Sequence, residues 1–226
     1  ATAHDRVRAF REERLGKLIA GEGPARVDAD MGRVLLHVVP LSAFSSPNQV
    51  DLQAALKDQQ FLPPIAYESG QVTYNFDGII RIFASEEITS YVQVFRSGAL
   101  EAVQNRLLTI FNQRKVLACH DFEGDLLKVL RKYLSFMNRQ NISPPWIILI
   151  TLDGLREFAL GIEGGFSSRL SAPILQNKIE LPEVVIESYG TWKDYQYCLR
   201  PAFDTLWNAG GMPKSPNFDN EGIWTG

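Results

Sequence analysis

Apolar positions along the chain change period several times, and each change marks an element. From Ala3 to Ala20, Val7, Phe10, Leu15, Leu18 and Ile19 recur at helical spacing among Arg6, Arg8, Arg11, Glu12, Glu13, Arg14 and Lys17. This predicts a helix with a strongly basic face, stopped by Gly21-Glu22-Gly23-Pro24. Arg33 to Phe44 is rich in β-branched and apolar residues and predicts a buried strand whose regular pairing ends at Pro40. Val50 to Leu56 predicts one or two helical turns, and Phe61 to Tyr74, broken by Pro63, Pro64 and Gly70, predicts irregular chain.

The clearest β signal runs from Tyr91 to Val103, where two strand-forming runs flank Ser97-Gly98; glycine tolerates the positive φ that a tight hairpin requires. Ile79 to Ala84 is expected to pair beside it. A second hairpin is expected between Trp146–Leu152 and Leu155–Ile162 through Asp153-Gly154. Between the hairpins, Phe122, Leu126, Val129, Leu130, Tyr133, Leu134 and Met137 repeat at three- and four-residue intervals. They predict a helix from Asp121 to Arg139, capped by Asp121 and barred from extension by Pro144-Pro145.

Ile179 to Glu187 reads as a strand, and Thr191-Trp192-Lys193-Asp194 matches a capping box. Pro201 lacks an amide proton and its ring clashes with the preceding turn. Two helices are therefore expected, one ending at Leu199 and one from Pro201 to Asn208, closed by Gly210-Gly211. The tail from Met212 to Gly226 reads as a docked extended segment. Strand pairs joined by tight turns, with a helix between them and helices at the end, predict an α+β fold: a mainly antiparallel sheet built from hairpins and flanked by helices. A doubly wound fold is disfavoured, because Pro-Leu-Ser-Ala-Phe, not a glycine-rich turn, follows the first strand.

Composition narrows the possibilities. The 226 residues are 45% hydrophobic and 22% charged, ordinary values for a folded domain. With 23 Lys and Arg against 26 Asp and Glu the net charge is −3, which leaves only local contact with nucleic acid. The longest apolar run, Trp146 to Leu152, is too short to span a membrane, so no membrane partner is expected. The first ten residues lack the apolar core of a secretory signal. They also lack an initiator Met, and the sequence reads as a segment of a longer chain or a processed end. Cys119 and Cys198 form no recognisable framework, so reduced thiols in a cytoplasmic protein are expected.

The residue patterns do not single out a catalytic centre. Cys119, His120, His4, His37 and Cys198 lack metal-ligand spacing, so no metal site is expected, and His37 reads as a solvent-facing strand residue. Cys119-His120-Asp121 has the residue types of a triad, but three consecutive residues cannot hydrogen-bond in that relay. Gly161-Ile162-Glu163-Gly164-Gly165 lacks the Lys-Ser/Thr of a phosphate loop and reads as a loop at a strand end. Asn75-Phe76-Asp77-Gly78 reads as an Asx turn. Trp192, Tyr195, Tyr197, Phe203 and Trp207 read as core. Two other readings stay open. Arg8, Arg11, Arg14 and Lys17 are the candidate nucleic-acid contacts, and Asp77, Glu101 and Asp153 are carboxylates that folding could assemble into a metal-dependent hydrolase or nuclease.

Several blocks carry a resemblance: Phe10 to Leu15 (FREERL) with Ala20-Gly21-Glu22, Val34 to Phe44 (VLLHVVPLSAF), Tyr74 to Gly78 (YNFDG), Tyr91 to Val103, and Leu199 to Gly210 (LRPAFDTLWNAG) with Ser215-Pro216-Asn217. Over nearly its whole length the chain resembles the C-terminal region of bacterial proteins that carry an N-terminal Schlafen-type AlbA-like domain. That domain is often labelled divergent AAA, ATP-binding or DNA-binding. It would precede Ala1, so its labels attach to no residue here and no cofactor is specified. The resemblance implies that residues 1–20 are a connector helix leaving that domain and 21–226 a single accessory domain. Its expected role is non-catalytic: regulation or interaction beside a DNA-associated partner domain, through ligand sensing or self-association into a homo-oligomer. Association with transcriptional control is part of the same implication.

Overall fold

The computed structural model describes residues 2–28, 30–106, 108–162 and 169–226. Its centre is β1 (Arg33–Pro40), buried along its whole length. It pairs antiparallel with β5 (Leu100–Gln104) on one side and β8 (Trp146–Asp153) on the other. Burial on both faces explains why β1 reads as a nearly continuous apolar run. Beyond β5 lie β4 (Ile88–Phe95), β3 (Gly78–Ala84) and the edge strand β2 (Gln71–Asn75). Beyond β8 lie two short strands, β10 (Lys178–Glu180) and β11 (Val184–Ile186), which both pair with it antiparallel. A smaller sheet contains β6 (Leu108–Phe111), β7 (Arg114–Leu117) and β9 (Ala159–Leu160).

Alternation along the strands assigns each side chain to one of two layers. Val34, Leu36 and Val38 of β1, with Val92, Val94, Leu100 and Ala102, face the larger core. That core is filled by helix α3 (Cys119–Arg139) and helix α4 (Trp192–Ala209). Leu35 and Val39, with Tyr91, Val103, Ile147 and Leu149, face the other way and are covered by helix α1 (Ala3–Ile19), through Val7, Leu15 and Leu18. The fold is thus α+β, an antiparallel main sheet with helices on both faces. No helix among the described residues is long and apolar enough to cross a membrane.

The β4–β5 hairpin turns at Ser97-Gly98, with Gly98 at φ +87°, and β3 pairs beside it. Pro40 ends β1, and α2 (Leu52–Lys57) supplies the helical turns expected near Val50. In the Asx turn between β2 and β3, the Gly78 amide donates to Asn75 Oδ1 at 2.9 Å.

Five expectations need correction. The Asp153-Gly154 hairpin does not form, because both flanks of β8 are already occupied by β1 and by β10 and β11. After Gly154 the chain leaves the sheet, burying Leu155 and Phe158, and β9 joins β7 in parallel instead. The Gly161–Gly165 motif extends outside the described residues. The strand expected from Ile179 to Glu187 is split at Leu181-Pro182-Glu183. The segment expected to be irregular up to Tyr74 ends in β2. Helix α3 begins two residues before Asp121, with Ala118 at its N-cap position and Asp121 in its first turn.

The fifth concerns α4, which runs unbroken through Pro201. Pro201 and Tyr197, whose carbonyl would have accepted the missing hydrogen bond, sit on the exposed side of the helix. Tyr195, Leu199, Ala202, Phe203, Leu206 and Trp207 form one buried stripe across the proline. Continuous burial on the far side outweighs one lost hydrogen bond on the wet side.

Candidate functional site

A cleft of about 520 Å³ opens beside the N-terminal half of α3. Five separate parts of the chain wall it. Helix α3 contributes His120, Asp121, Gly124, Asp125 and Lys128; the segment before β2 contributes Tyr67; the end of β5 is followed by Arg106; and α4 and the tail contribute Trp192 and Trp224.

Each wall is held by identifiable contacts. Tyr67 stacks on Phe83 of β3, with ring centroids 3.6 Å apart and planes 11° from parallel. Arg81 of the same strand donates to the Gln59, Glu68 and Gly70 carbonyls, fastening the irregular segment to the sheet. Glu68 binds Lys128 and, at 2.8 Å, Lys132, which ties that segment to α3. Trp224 lies against the helix because position 124 is glycine: a Cβ there would come within 2.7 Å of the indole. The His120 ring rests on the same indole at 4.9 Å between centroids. Trp192, at the start of α4, has the Arg131 guanidinium 5.8 Å from its ring centroid. The capping box supports that helix start, with the Thr191 amide donating to Asp194 Oδ2 at 2.7 Å.

Asp121 and Asp125 stand one helical turn apart on the cleft side of α3, spaced so that their charges repel. Burial first, and then the Asp121 charge, push the Asp125 carboxyl up to about 6. Among the described residues no side chain donates a hydrogen bond to Asp125. The cleft therefore combines aromatic walls with a desolvated acid whose charge is incompletely answered.

Two further buried carboxylates have structural surroundings. Glu101 lies under α1 and receives Arg14 Nε at 2.7 Å, Arg14 Nη2 at 2.9 Å, Tyr91 Oη at 2.8 Å and His37 Nε2 at 3.0 Å. Burial pushes its pKa up, but the hydrogen bonds and charges of Arg14 and His37 outweigh that and hold it at about 2. His37 is thus fully buried, which corrects the solvent-facing expectation. Its neighbour across the β1–β5 register is Glu101, and Phe10 packs edge-on against its ring. Glu123 of α3 lies in the other core and receives Trp207 Nε1, Ser215 Oγ and Asn217 Nδ2 at 2.7–2.8 Å.

The basic residues of α1 are turned largely toward acidic partners. Arg14 is 6% exposed and Arg11 is 5% exposed, with Arg11 Nη1 3.4 Å from Glu180. Arg8 pairs with Glu183 at 3.2 Å and Lys17 with Glu13 at 2.6 Å. Arg11 and Arg14 are seated against the sheet while Arg8 stays exposed and Lys17 half-exposed in ion pairs, and that divided arrangement gives no support to a phosphate-tracking face. The three candidate hydrolase carboxylates are not brought together. Asp153 binds Arg33 at 2.7 Å; Arg33 and His37 are four residues apart on β1, and Asp153 and Glu101 lie on opposite flanks of that strand, so their backbones are roughly 16 Å apart. Asp77 lies in the β2–β3 turn, where its charge acts on Arg14, the partner of Glu101, but among the described residues it forms no cluster with the other two acids. No group of three or more His, Cys, Asp or Glu that could hold a metal ion occurs among the described residues. Cys119 and Cys198 are free thiols, and burial pushes Cys119 well above the usual thiol range.

Tyr197 is 69% exposed, which corrects its reading as core, and Trp192 lines the cleft. The residues the sequence reasoning missed are Tyr67, Arg106 and Asp125. Only Asp125 left a trace, as the second acid of an i, i+4 pair at the start of the strongest helix. Comparison of the chain with family models, curated proteins and solved structures gives no match.

Proposed function

We propose that this chain is a non-catalytic regulatory domain that senses a small ligand in the α3 cleft. It would serve a DNA-associated partner of the Schlafen-type AlbA-like kind in the cytoplasm. The observation that carries the reading is the cleft itself, where four sequence-distant segments place three aromatic rings and two carboxylates around one opening. Small-molecule sites combine largely apolar walls with a few convergent polar groups in this way. What supports a binding role over catalysis is the separation of the acids: Glu101 and Asp153 are each occupied by an arginine. Helix α1 gives such a sensor a stiff output. Arg14 fastens it to the sheet, so a change in the body of the domain moves α1 with it.

The test is a thermal-shift and tryptophan-fluorescence screen of the whole chain against a broad panel of metabolites and nucleotides. A ligand at a hundred times its Kd raises stability by about 2.7 kcal/mol. It should also perturb Trp192 and Trp224 emission, and Gly124→Ala, which displaces Trp224, should weaken it. A panel that moves neither signal removes the reading.

A further inference from the structure

We infer that the α3 cleft selects a small organic cation, an amine whose ammonium group is received by Asp121 and Asp125 while its apolar body lies against Trp224 and Tyr67. This rests on the ligand-sensing reading and names the ligand class.

The argument begins with the charge on α3. Two carboxylates one turn apart are unfavourable unless a cation lies between them. Among the described residues the nearby cations are committed elsewhere or poorly placed to serve. Lys128 is held by Glu68, which also takes Lys132. His120 Nδ1 is 3.6 Å from Asp121 Oδ1, too long for a hydrogen bond, while its ring is occupied by Trp224. Arg106 follows β5 and is exposed, where water and salt screen it. The charged groups acting on Asp125 are thus Asp121 and Lys128 from its own helix and Glu68 from the facing segment; Arg106 lines the same cleft. Burial and the neighbouring negative charges together favour protonation of Asp125, and an incoming ammonium reverses both effects by donating charge-assisted hydrogen bonds. The walls suit the rest of such a ligand. Indole and phenol faces attract cations through their quadrupoles and also bury hydrocarbon. An anion would face Asp121 and Asp125; a neutral ligand would leave the acid pair unanswered.

Three probes sharing a ring separate these cases: phenethylammonium, phenylacetate and 2-phenylethanol, titrated into the whole chain by calorimetry and tryptophan fluorescence. Phenethylammonium should bind at least about tenfold more tightly than the other two. Its affinity should fall about tenfold per pH unit below about 6, as the carboxyl takes up a proton. Asp125→Asn should remove both the affinity and that pH dependence, and Asp121→Asn should weaken binding while lowering the pH of the transition. Equal or tighter binding of phenylacetate or 2-phenylethanol overturns the cation assignment and leaves ligand sensing standing. So does unchanged phenethylammonium binding in Asp125→Asn. Silence from these probes alongside a hit from the broad panel overturns the cation class alone, whereas silence from both overturns the two readings together.

Discussion

Glu101 and Glu123 are both fully buried carboxylates, one on each side of the main sheet, and their environments drive them in opposite directions. Glu101 under α1 is met by a guanidinium, an imidazole and a phenol, and is held ionised at about 2. Glu123 under the C-terminal tail is met by an indole, a hydroxyl and an amide, all neutral. Burial raises its pKa, and those hydrogen bonds recover only part of the shift. Equal burial therefore does not imply equal chemistry. A formal charge opposite a buried acid overcomes desolvation, and neutral dipoles soften it. The two sites also fasten different things. Arg14 and Glu101 lock α1 onto the sheet, whereas Glu123 gathers α4 and the Ser215–Asn217 segment around α3.

The largest expected difference comes from neutralising each acid in turn. In Glu101→Gln the new amide NH₂ faces a donor whichever way it is turned, because one carboxylate oxygen receives Arg14 Nε and His37 and the other receives Arg14 Nη2 and Tyr91. Arg14 is left as a buried uncompensated charge, and the loss should be about 3–5 kcal/mol in urea unfolding. Arg14→Met combined with Glu101→Leu should recover more than half of it. Glu123→Gln should cost only about 1–2 kcal/mol, because Asn217 can turn its amide to present oxygen and Ser215 can accept as well as donate. Equal losses would show that the partners' charge is not what distinguishes the sites.

Acid titration sharpens the same contrast. The Glu101 pKa is lower in the folded state than its ordinary value of 4.5, so its contribution to stability is complete above that value. It is lost as pH falls toward about 2, to the extent of roughly 3 kcal/mol. The Glu123 pKa is raised on folding, so its sign is reversed: its contribution is present at low pH and is lost as pH rises through the folded value. Urea unfolding between pH 2 and 8 should show a steep acid limb that Glu101→Gln flattens and Glu123→Gln retains, the remainder belonging to exposed ion-paired acids such as Glu68. An acid limb unchanged by Glu101→Gln would place the ionised group elsewhere.

Next in size is Gly124→Ala, about 1–3 kcal/mol. The added methyl meets the Trp224 ring at 2.7 Å, so the indole must leave its seat. Trp224 emission should move toward that of a solvated indole, while α1 and the Glu101 limb of the pH profile stay as they were. Loss of that acid limb as well would mean that the tail and α1 are coupled through the sheet.

These contrasts explain what the sequence made legible. Elements defined by neighbours in the chain were readable: the α3 stripe, the Ser97-Gly98 hairpin, the Asn75 turn and the Thr191–Asp194 cap all depend on residues a few positions apart. Elements decided by distant partners were not. Asp153-Gly154 carries a strong turn signal, yet β8 already has neighbours on both edges, a fact of topology that no window of ten residues contains. Pro201 was expected to break α4 because the compensating stripe is visible only once the sheet stands opposite it. The buried acids fall in the same class: the partners of Glu101 include Arg14, 87 residues away, and those of Glu123 lie 84 to 94 residues away. The cleft was legible only in fragments. His120 and Asp121 read as helix entry and Trp224 as a docked tail, because their meeting with Tyr67 depends on the irregular segment that Arg81 holds down.

The smallest expected effect tests the neutral side of the comparison most directly. Ser215 Oγ donates to Glu123, with its oxygens at 2.8 and 3.1 Å, and also receives the Asn217 amide at 3.2 Å. Ser215→Ala removes one of several donors while leaving Trp207 Nε1 and Asn217 Nδ2 in place. The acid stays partly satisfied, and the loss should be about 1 kcal/mol. Because that hydroxyl lowers the carboxyl's pKa, its removal should raise the value further. The pH at which the Glu123 contribution disappears should therefore rise, while the Glu101 limb does not move. A shift in the opposite direction would mean that the hydroxyl had been accepting a proton from a neutral Glu123, and that the acid is a donor in this site.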